Sequence, residues 1–174
     1  MKIEEEITQT KSFRNEYHKA TVNIHFTSKW MTRFYSDVLK NYELTVQQYN
    51  ILRILKGQFP ESATVKHIHD RMLDRMSDTS RIVELLRQKG LVERTICETD
   101  RRKMDVLITQ KGIRLLREIE KEDEKMDDLM RSLNKKEVSQ LNTLLNKLRS
   151  VLSFFFYYSF PLTIFFSDDF ILMN

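Results

Sequence analysis

The stretch that decides the fold is residues 86–112, LRQKGLVERTICETDRRKMDVLITQKG. Up to Gly90 the apolar residues follow a helical spacing, and after it they alternate as in a strand. Residues 91–97 and 104–108 therefore predict two strands, and the polar residues 98–103 predict the hairpin loop between them. Three consecutive cations, Arg101, Arg102 and Lys103, end that loop. The segment predicts a helix that leads into a basic β-hairpin.

Two helices are predicted between residues 45 and 76, and each begins at a threonine. Thr45 and Gln48 fit a capping box, and Gly57 with Pro60 ends the helix that follows. Thr64 begins the second helix. Both helices are short, which suits a compact helical lobe.

The helix that leads into the hairpin, called the recognition helix below, is predicted to begin near Ser77. Ile82, Leu85 and Leu86 are expected to face the core. Two short helices, a strand, a basic loop and a returning strand make up a winged helix-turn-helix. In that fold the second short helix enters the major groove of DNA, and the hairpin, or wing, reaches the backbone or the minor groove. We predict a mostly α chain with a winged helix-turn-helix and a short β-hairpin wing.

A long amphipathic helix is predicted ahead of this lobe. From Phe13 onward a row of apolar residues develops, with Phe26, Trp30, Phe34 and Val38 each four positions apart. The stripe extends over roughly thirty residues, about three times the usual helix length, so one small domain cannot cover it. We expect a helix from a second copy of the chain to cover it. Residues 1–12 are expected to be a frayed polar end.

Two further helices are predicted after the hairpin. Thr109 begins a charged helix that continues to about Arg131, and Asn134 begins a last helix. The apolar residues expected to face inward on that last helix are Val138, Leu141, Leu144, Leu145 and Leu148. The predicted organisation is an N-terminal dimerisation helix in 1–43, a DNA-binding lobe in 44–112, C-terminal dimerisation helices in 113–150 and an apolar extension in 151–174.

Composition excludes several classes of protein. The formal charge is 29 − 25 = +4, and 31% of the residues are charged, which argues against a membrane-embedded chain. Three glycines form no phosphate-binding loop, and the single cysteine, Cys97, excludes an internal disulfide and is expected to be a buried filler. His67 and His69 lie two apart, without a carboxylate at ligand spacing. We predict no metal, no cofactor and no enzymatic activity, and the acidic start, which lacks a signal peptide, indicates a cytoplasmic protein.

The start of the recognition helix and the wing carry the candidate DNA contacts. Arg81 suits guanine, whose O6 and N7 atoms a guanidinium binds in a bidentate way. Asp78 repels phosphate, so it must cap the helix, pair with an arginine or accept from a cytosine amine. In the wing, Asp100 is expected to hold Arg102 and to leave Arg101 free for the minor groove. The candidate set also includes Thr64, Lys66, Ser77, Thr79, Ser80 and Lys103 as DNA contacts, and Arg94 as a residue that structures the wing.

The positive charge of the chain is concentrated in the same segment. From Lys66 to Lys103 there are ten Lys or Arg and seven Asp or Glu, a net charge of 10 − 7 = +3. This excess is too small for one copy to bind DNA tightly without regard to sequence. Two copies on one duplex would roughly double the phosphate contacts.

Residues 86–112 resemble the MarR family of bacterial transcription regulators. The likeness rests on KGLVER after the recognition helix, on Asp100-x-Arg102 in the wing, and on ITQKG at 108–112, a conservative departure from the family's Leu-Thr-x-x-Gly. Ser80-Arg81 matches a pair often found on the recognition helix of the family. The resemblance spans about residues 13–150, and the wing segment is its specific part.

Similarity to this family implies a homodimer, built from the first helix and the last two, that binds a pseudo-palindromic operator in double-stranded DNA, most often as a repressor. It also implies a crevice between the dimerisation helices and the DNA-binding lobe for a small aromatic or phenolic ligand that releases the DNA. The residues that would line this crevice are Trp30, Phe34, Tyr49 and Arg53. Aromatic residues at helical spacing also fit a plain hydrophobic core.

The tail, VLSFFFYYSFPLTIFFSDDFILMN at 151–174, departs from the family. It contains seven of the eleven phenylalanines and no Lys or Arg, and its sixteen-residue apolar run is broken by Pro161. A bilayer needs about twenty residues, so no stable membrane insertion is expected. An extra layer over the dimer core, an out-of-frame extension and a membrane-surface contact all remain open, and we expect burial against the partner subunit. The alternative function is a protein-interaction winged helix whose apolar tail docks on a partner or a membrane surface.

Overall fold

The computed structural model describes residues 2–96 and 104–156. The helices in this part are α1 (Ile3–Glu6), α2 (Glu16–Lys40), α3 (Val46–Lys56), α4 (Val65–Arg71), α5 (Thr79–Gln88), α6 (Gln110–Glu120), α7 (Asp123–Asp128) and α8 (Lys135–Phe156). The strands are β1 (Ala63–Thr64), β2 (Val92–Ile96) and β3 (Met104–Ile108). None of the described helices combines the length and the apolar character that crossing a bilayer requires. The predicted fold class, mostly α with a winged helix-turn-helix, is confirmed.

The chain divides into two compact units. One, called the winged-helix unit below, comprises Met31–Met126 and contains α3 to α6 with the three strands. The other comprises Met1–Trp30 and the residues from Asp127 onward, and it contains α1 and α8. The winged-helix unit is thus larger than the lobe expected at 44–112, because it includes residues on both sides of it.

Threonine side chains begin three helices of the winged-helix unit. Thr45 Oγ1 accepts from the Gln48 N–H at 3.2 Å and Gln48 Oε1 accepts from the Thr45 N–H at 3.2 Å, which completes the capping box. Thr64 and Thr109 each accept, at 3.1 Å, from the backbone N–H three residues further on. The three predicted helix starts are confirmed, since each side chain satisfies an N–H that the helix leaves unpaired.

The sheet is antiparallel with the strand order β1-β3-β2. β2 and β3 are the two predicted strands of the wing, with Arg94 opposite Val106 in the register. The prediction of two strands was incomplete, because Ala63 also pairs with Val106 and adds β1 to the sheet. A strand of two residues has no hydrophobic alternation, so the sequence gives no sign of it. Residues 97–103, with Cys97 and the predicted loop, lie outside the described part.

The core of the winged-helix unit joins its helices to β3. Its fully buried side chains come from α2, α3, α4, α5, the wing strands and α6: Leu39, Ile51, Leu52, Leu55, Ile68, Val83, Leu86, Val92, Val106, Ile108, Leu116 and Ile119. On α5 the prediction was correct for Leu86 and for Ile82, which packs against the core, and wrong for Leu85. Leu85 is 40% exposed, and Val83 takes the core position. The true apolar face therefore lies slightly rotated from the predicted one.

The single charged helix predicted from Thr109 to about Arg131 is wrong. The structure has α6, which ends at Glu120, a turn, and the short α7. After Ile119, the last buried residue of α6, the sequence EKEDEK offers no apolar side chain to hold another turn against the core. The start of the last helix is confirmed, because Asn134 Oδ1 accepts from the Glu137 N–H at 3.1 Å ahead of α8.

The N-terminal residues are more ordered than predicted. Instead of a frayed end, residues 3–6 form α1, in which Ile3 is buried. Glu4 pairs with Lys19 of α2 at 2.6 Å, and the pKa of Glu4 is lowered by its hydrogen bond with that lysine. The long helix is present as α2 and has 25 residues, somewhat fewer than the roughly thirty expected from its stripe.

Candidate nucleic-acid interface

The turn before the recognition helix α5 is ordered by two aspartates. Asp78 Oδ1 accepts from the Arg81 N–H at 3.0 Å and so caps α5. Asp74 accepts from the Met76 N–H at 3.1 Å and from Ser77 Oγ at 2.7 Å, and these hydrogen bonds, the one from Ser77 foremost, lower the pKa of Asp74. Of the three roles left open for Asp78, the structure gives it the cap.

Ser80 and Arg81 lie on the exposed side of the first turn of α5. Within residues 2–96 and 104–156, no hydrogen bond or ion pair is recorded for either side chain, so both are available to a ligand. Ser77 is half-buried and already donates to Asp74. Thr79 is a correction to the candidate set, because it is only 4% exposed and donates to Met72 Sδ at 3.2 Å. A buried side chain cannot contact DNA without unfolding the turn.

The two candidates at the start of α4 differ in whether the side chain already takes part in a hydrogen bond. Thr64 Oγ1 is half-buried and accepts from the His67 N–H, so its hydroxyl serves the helix start. Lys66 is exposed on the first turn. His69 Nε2 lies 3.1 Å from the carbonyl oxygen of Arg75, which ties α4 to the following turn. The described residues contain no cluster of His, Cys, Asp or Glu that would hold a metal ion.

Glu84 is a residue that the sequence reasoning missed. Its carboxylate accepts from Arg87 Nε at 3.0 Å and Nη2 at 2.8 Å and from Gln88 Nε2 at 3.3 Å, and it lies 3.5 Å from Arg94 Nη1 on β2. The hydrogen bonds from Arg87 are the main cause that lowers the pKa of Glu84 to about 2. Glu84 thus joins the recognition helix to the wing strand. The helical spacing of Glu84, Arg87 and Gln88 is visible in the sequence, whereas the contact with Arg94 depends on the fold.

Acid is expected to remove the stabilising contribution of Glu84. Because its pKa of about 2 lies below the ordinary 4.5, the contribution is complete above about pH 4.5 and is lost as the pH falls towards 2. The thermal midpoint of Glu84→Gln should lie below that of the wild type at pH 7, and the gap should close over that range.

Arg87→Ala is the matched background for this measurement. Since Arg87 supplies the strongest hydrogen bonds to Glu84, the Glu84→Gln exchange should lower the thermal midpoint much less in that background, at every pH. A gap that stays constant from pH 7 to pH 2 in the wild-type background would contradict the role given to Glu84.

The wing is described only at its base. Arg94 lies on β2 with its side chain three-quarters buried, and its Nε has no hydrogen-bond partner among the described groups. Asp100, Arg101, Arg102 and Lys103 lie outside the described residues. A shallow depression of about 360 Å³ lies at the base of the wing and is lined by Arg87, Gly90, Val92, Glu93, Arg94, Thr95 and Thr109.

The structure brings two of the four expected ligand-crevice residues together. Tyr49 Oη accepts from Arg53 Nη1 at 2.8 Å, and the guanidinium carbon lies 5.7 Å from the centre of the tyrosine ring. Phe34 packs against the core of the same unit, with its ring edge-on to that of Tyr35. Trp30 belongs to the other unit and is 48% exposed.

Residues 42–103 match the sequence model of the MarR family. Over this segment the chain is similar in sequence to the MarR family. The MarR-family segment runs from the residues before α3 to the wing, and it contains every candidate DNA contact from Thr64 to Lys103. No curated protein matches the chain in sequence.

Solved MarR-type structures share the fold. A mutant MarR from E. coli in complex with operator DNA has a TM-score of 0.71 and 21% identity, and the match covers 79% of this chain and 99% of that one. A MarR transcription factor from Planctomyces limnophilus has a TM-score of 0.59 and 26% identity, with 82% and 99% covered. BpsR from Bordetella bronchiseptica, whose DNA binding is regulated by 6-hydroxynicotinic acid, has a TM-score of 0.64 and 19% identity, with 75% and 98% covered. The predicted MarR resemblance is therefore confirmed.

Proposed function

We propose that the chain is a DNA-binding transcription regulator and that it acts as a homodimeric repressor on a pseudo-palindromic operator. The observation that carries the proposal is the uncovered first turn of α5, where Ser80 and Arg81 are exposed at the end of a helix that a winged helix-turn-helix inserts into the major groove. The MarR-family segment and the operator-bound MarR of the same fold support it.

The charge of the described surface suits this function. Lys66 and Arg81 are exposed, and the carboxylates of Asp74 and Asp78 accept hydrogen bonds from their own turn. These hydrogen bonds hold the two carboxylates within the turn, and we assign the phosphate contacts to the two cations. We propose that Arg101 of the wing adds the minor-groove contact, and that Arg102 and Lys103 act beside it.

We propose that a second copy of the chain covers the exposed apolar surface of α8. Two of the five apolar residues expected to face inward on α8 are uncovered in one chain, Leu144 at 55% and Leu148 at 56% exposed. A stripe of leucines at helical spacing that remains exposed is a typical self-association surface. The dimer would bring two recognition helices to successive major grooves of one duplex. Within this assembly the dimerisation segments are 1–43 and 113–150 and the DNA-binding lobe is 44–112.

We further propose that a small aromatic acid or phenol releases the protein from the DNA. Tyr49 and Arg53 form a pair of a ring and a guanidinium, which suits a planar anion. Phe34 and Trp30 are the further candidates for the lining. The regulation of BpsR by 6-hydroxynicotinic acid supports a ligand of this class.

Arg81 and Arg101 are expected to affect DNA binding in different ways. Arg81→Ala should relax base preference, with a loss of about 1–3 kcal/mol, or about five- to 160-fold, at the preferred site only. Arg101→Ala should weaken binding to all duplexes and lower the salt dependence by about one phosphate contact. Gel shifts with the DNA upstream of the protein's own gene and with an unrelated duplex, at several salt concentrations, measure both effects.

Arg114→Ala is the matched control, because Arg114 is an exposed arginine on α6, outside the candidate set. It should bind like the wild type. Unchanged affinity in both Arg81→Ala and Arg101→Ala at moderate salt would overturn the assignment of the recognition helix and the wing.

A further inference from the structure

The turn between α4 and α5 exposes two large apolar side chains. Leu73 is 90% exposed and Met76 is 94% exposed, whereas Met72 beside them is buried. Single exposed apolar residues are common on protein surfaces. Two in one turn, directly before a recognition helix, indicate a contact surface.

The backbone of this turn is held from both sides. The Leu73 N–H donates to Asn50 Oδ1 of α3 at 3.1 Å, and the Met76 N–H donates to Asp74 Oδ1 at 3.1 Å. Met72 anchors the turn in the core and accepts from Thr79 Oγ1 at 3.2 Å. The two apolar side chains therefore project from a fixed backbone, and a surface that is ordered before binding loses little entropy when it meets a partner.

The surroundings of the turn indicate what that partner is. Four exposed cations lie on α4, on the turn and on the start of α5: Lys66, Arg71, Arg75 and Arg81. Of the three aspartates at 70, 74 and 78, two accept hydrogen bonds from their own turn. An apolar contact accompanied by four exposed cations against three aspartates suits a duplex, where thymine C5-methyl groups lie in the major groove between two rows of phosphates.

We propose that Met76, together with Leu73 of the same turn, packs against thymine C5-methyl groups in the major groove and so determines part of the sequence preference. The inference rests on the proposed function, since it requires α5 to lie in that groove. Met76 comes two residues before the cap of α5. A helix start placed in the groove would therefore bring Met76 to the groove as well. The flexible thioether side chain of methionine adapts to a methyl group without demanding one fixed geometry.

Replacing thymine by deoxyuridine in the bound duplex tests this inference, because the exchange removes the methyl group and keeps the base pair. Wild-type protein should bind the deoxyuridine duplex about fourfold more weakly for each methyl group that the contact buries. Met76→Ala should bind both duplexes with nearly equal affinity, and the double variant Leu73→Ala with Met76→Ala should show no difference at all.

Phe59→Ala is the matched control, since Phe59 is also an exposed apolar residue, at 43%, outside the candidate DNA contacts and the dimerisation segments. It should keep the full preference for thymine. Thermal midpoints should be the same for all variants, because the replaced side chains are outside the core.

The outcomes separate this inference from the function on which it depends. If wild-type protein binds neither duplex, the proposed function itself fails. If it binds both equally while Arg81→Ala still alters base preference, the function stands and the methyl contact is overturned. A double variant that keeps the wild-type preference for thymine also overturns it.

Discussion

Replacement of Gly112 by alanine is expected to destabilise the winged-helix unit by about 1–3 kcal/mol or more, because it forces an atom into filled space. A Cβ at Gly112 would lie 2.5 Å from the carbonyl oxygen of Leu91 and 2.8 Å from Ile108 Cγ1. The Leu91 backbone cannot easily yield, since its N–H donates to the Leu86 carbonyl and its own carbonyl accepts from the Thr109 N–H. The clash thus lies where the recognition helix, the wing and α6 meet.

Urea denaturation of the two proteins measures this loss, and Gly57→Ala is the control. A Cβ at Gly57 would lie 3.5 Å and 3.6 Å from its nearest atoms, which is ordinary contact, so its stability should stay within about 0.5 kcal/mol of the wild type. An alanine at 112 that leaves the unfolding midpoint unchanged would contradict the close packing of α6 against β3 and Leu91.

Charges placed on the apolar stripe of α8 are expected to abolish self-association and to have the largest effect on DNA binding. Leu144→Glu with Leu148→Glu would put two carboxylates on the surface that the second copy is proposed to cover. A single chain binds one half-site only, so the gain from linking two half-sites is lost. Operator affinity should fall on the order of a hundredfold or more.

Sedimentation equilibrium and operator binding at matched concentrations test this prediction. Ser139→Glu is the control, since Ser139 is exposed on a different side of α8 from the leucine stripe. It should leave both the mass and the affinity unchanged. A wild-type protein that sediments as a monomer at micromolar concentration, or a charged variant that still dimerises, would contradict the proposed use of α8.

Local signals in the sequence were sufficient to predict most of the fold. The helix starts at Thr45, Thr64 and Thr109 follow from hydrogen bonds within a single turn, and both wing strands follow from alternation over five residues. These features depend on neighbours in the sequence, so no tertiary information was needed to find them.

The errors arose where distant packing decides the structure. β1 exists only because it pairs with β3, 40 or more residues away, and Val83 replaces Leu85 in the core because the helix is rotated by its neighbours. The charged helix after Thr109 breaks where its last core contact, Ile119, is reached. Helical periodicity alone reveals none of these three features.

The sequence predicted which residues lie at the candidate site better than it predicted what each of them does there. Ser80 and Arg81 are exposed as the hypothesis requires, and Asp78 takes the cap, one of the three roles left open for it, but Thr79 is buried. The hydrogen bond from Thr79 to Met72 decides which side of the first turn of α5 faces solvent. Met72 lies at the other end of the preceding turn, so the helical pattern of α5 does not show this contact. The link from Glu84 to Arg94 depends on the fold in the same way.

The most direct test of the central claim, that paired recognition helices bind a specific duplex, is a titration of the unmodified protein followed by fluorescence anisotropy. The fragment upstream of its own gene is compared with a scrambled duplex of the same length at physiological salt. We predict two chains per duplex and a preference for the specific fragment of roughly a thousandfold or more, with an affinity that falls steeply as salt is raised. Equal affinity for both duplexes, or no binding to either, would contradict the account.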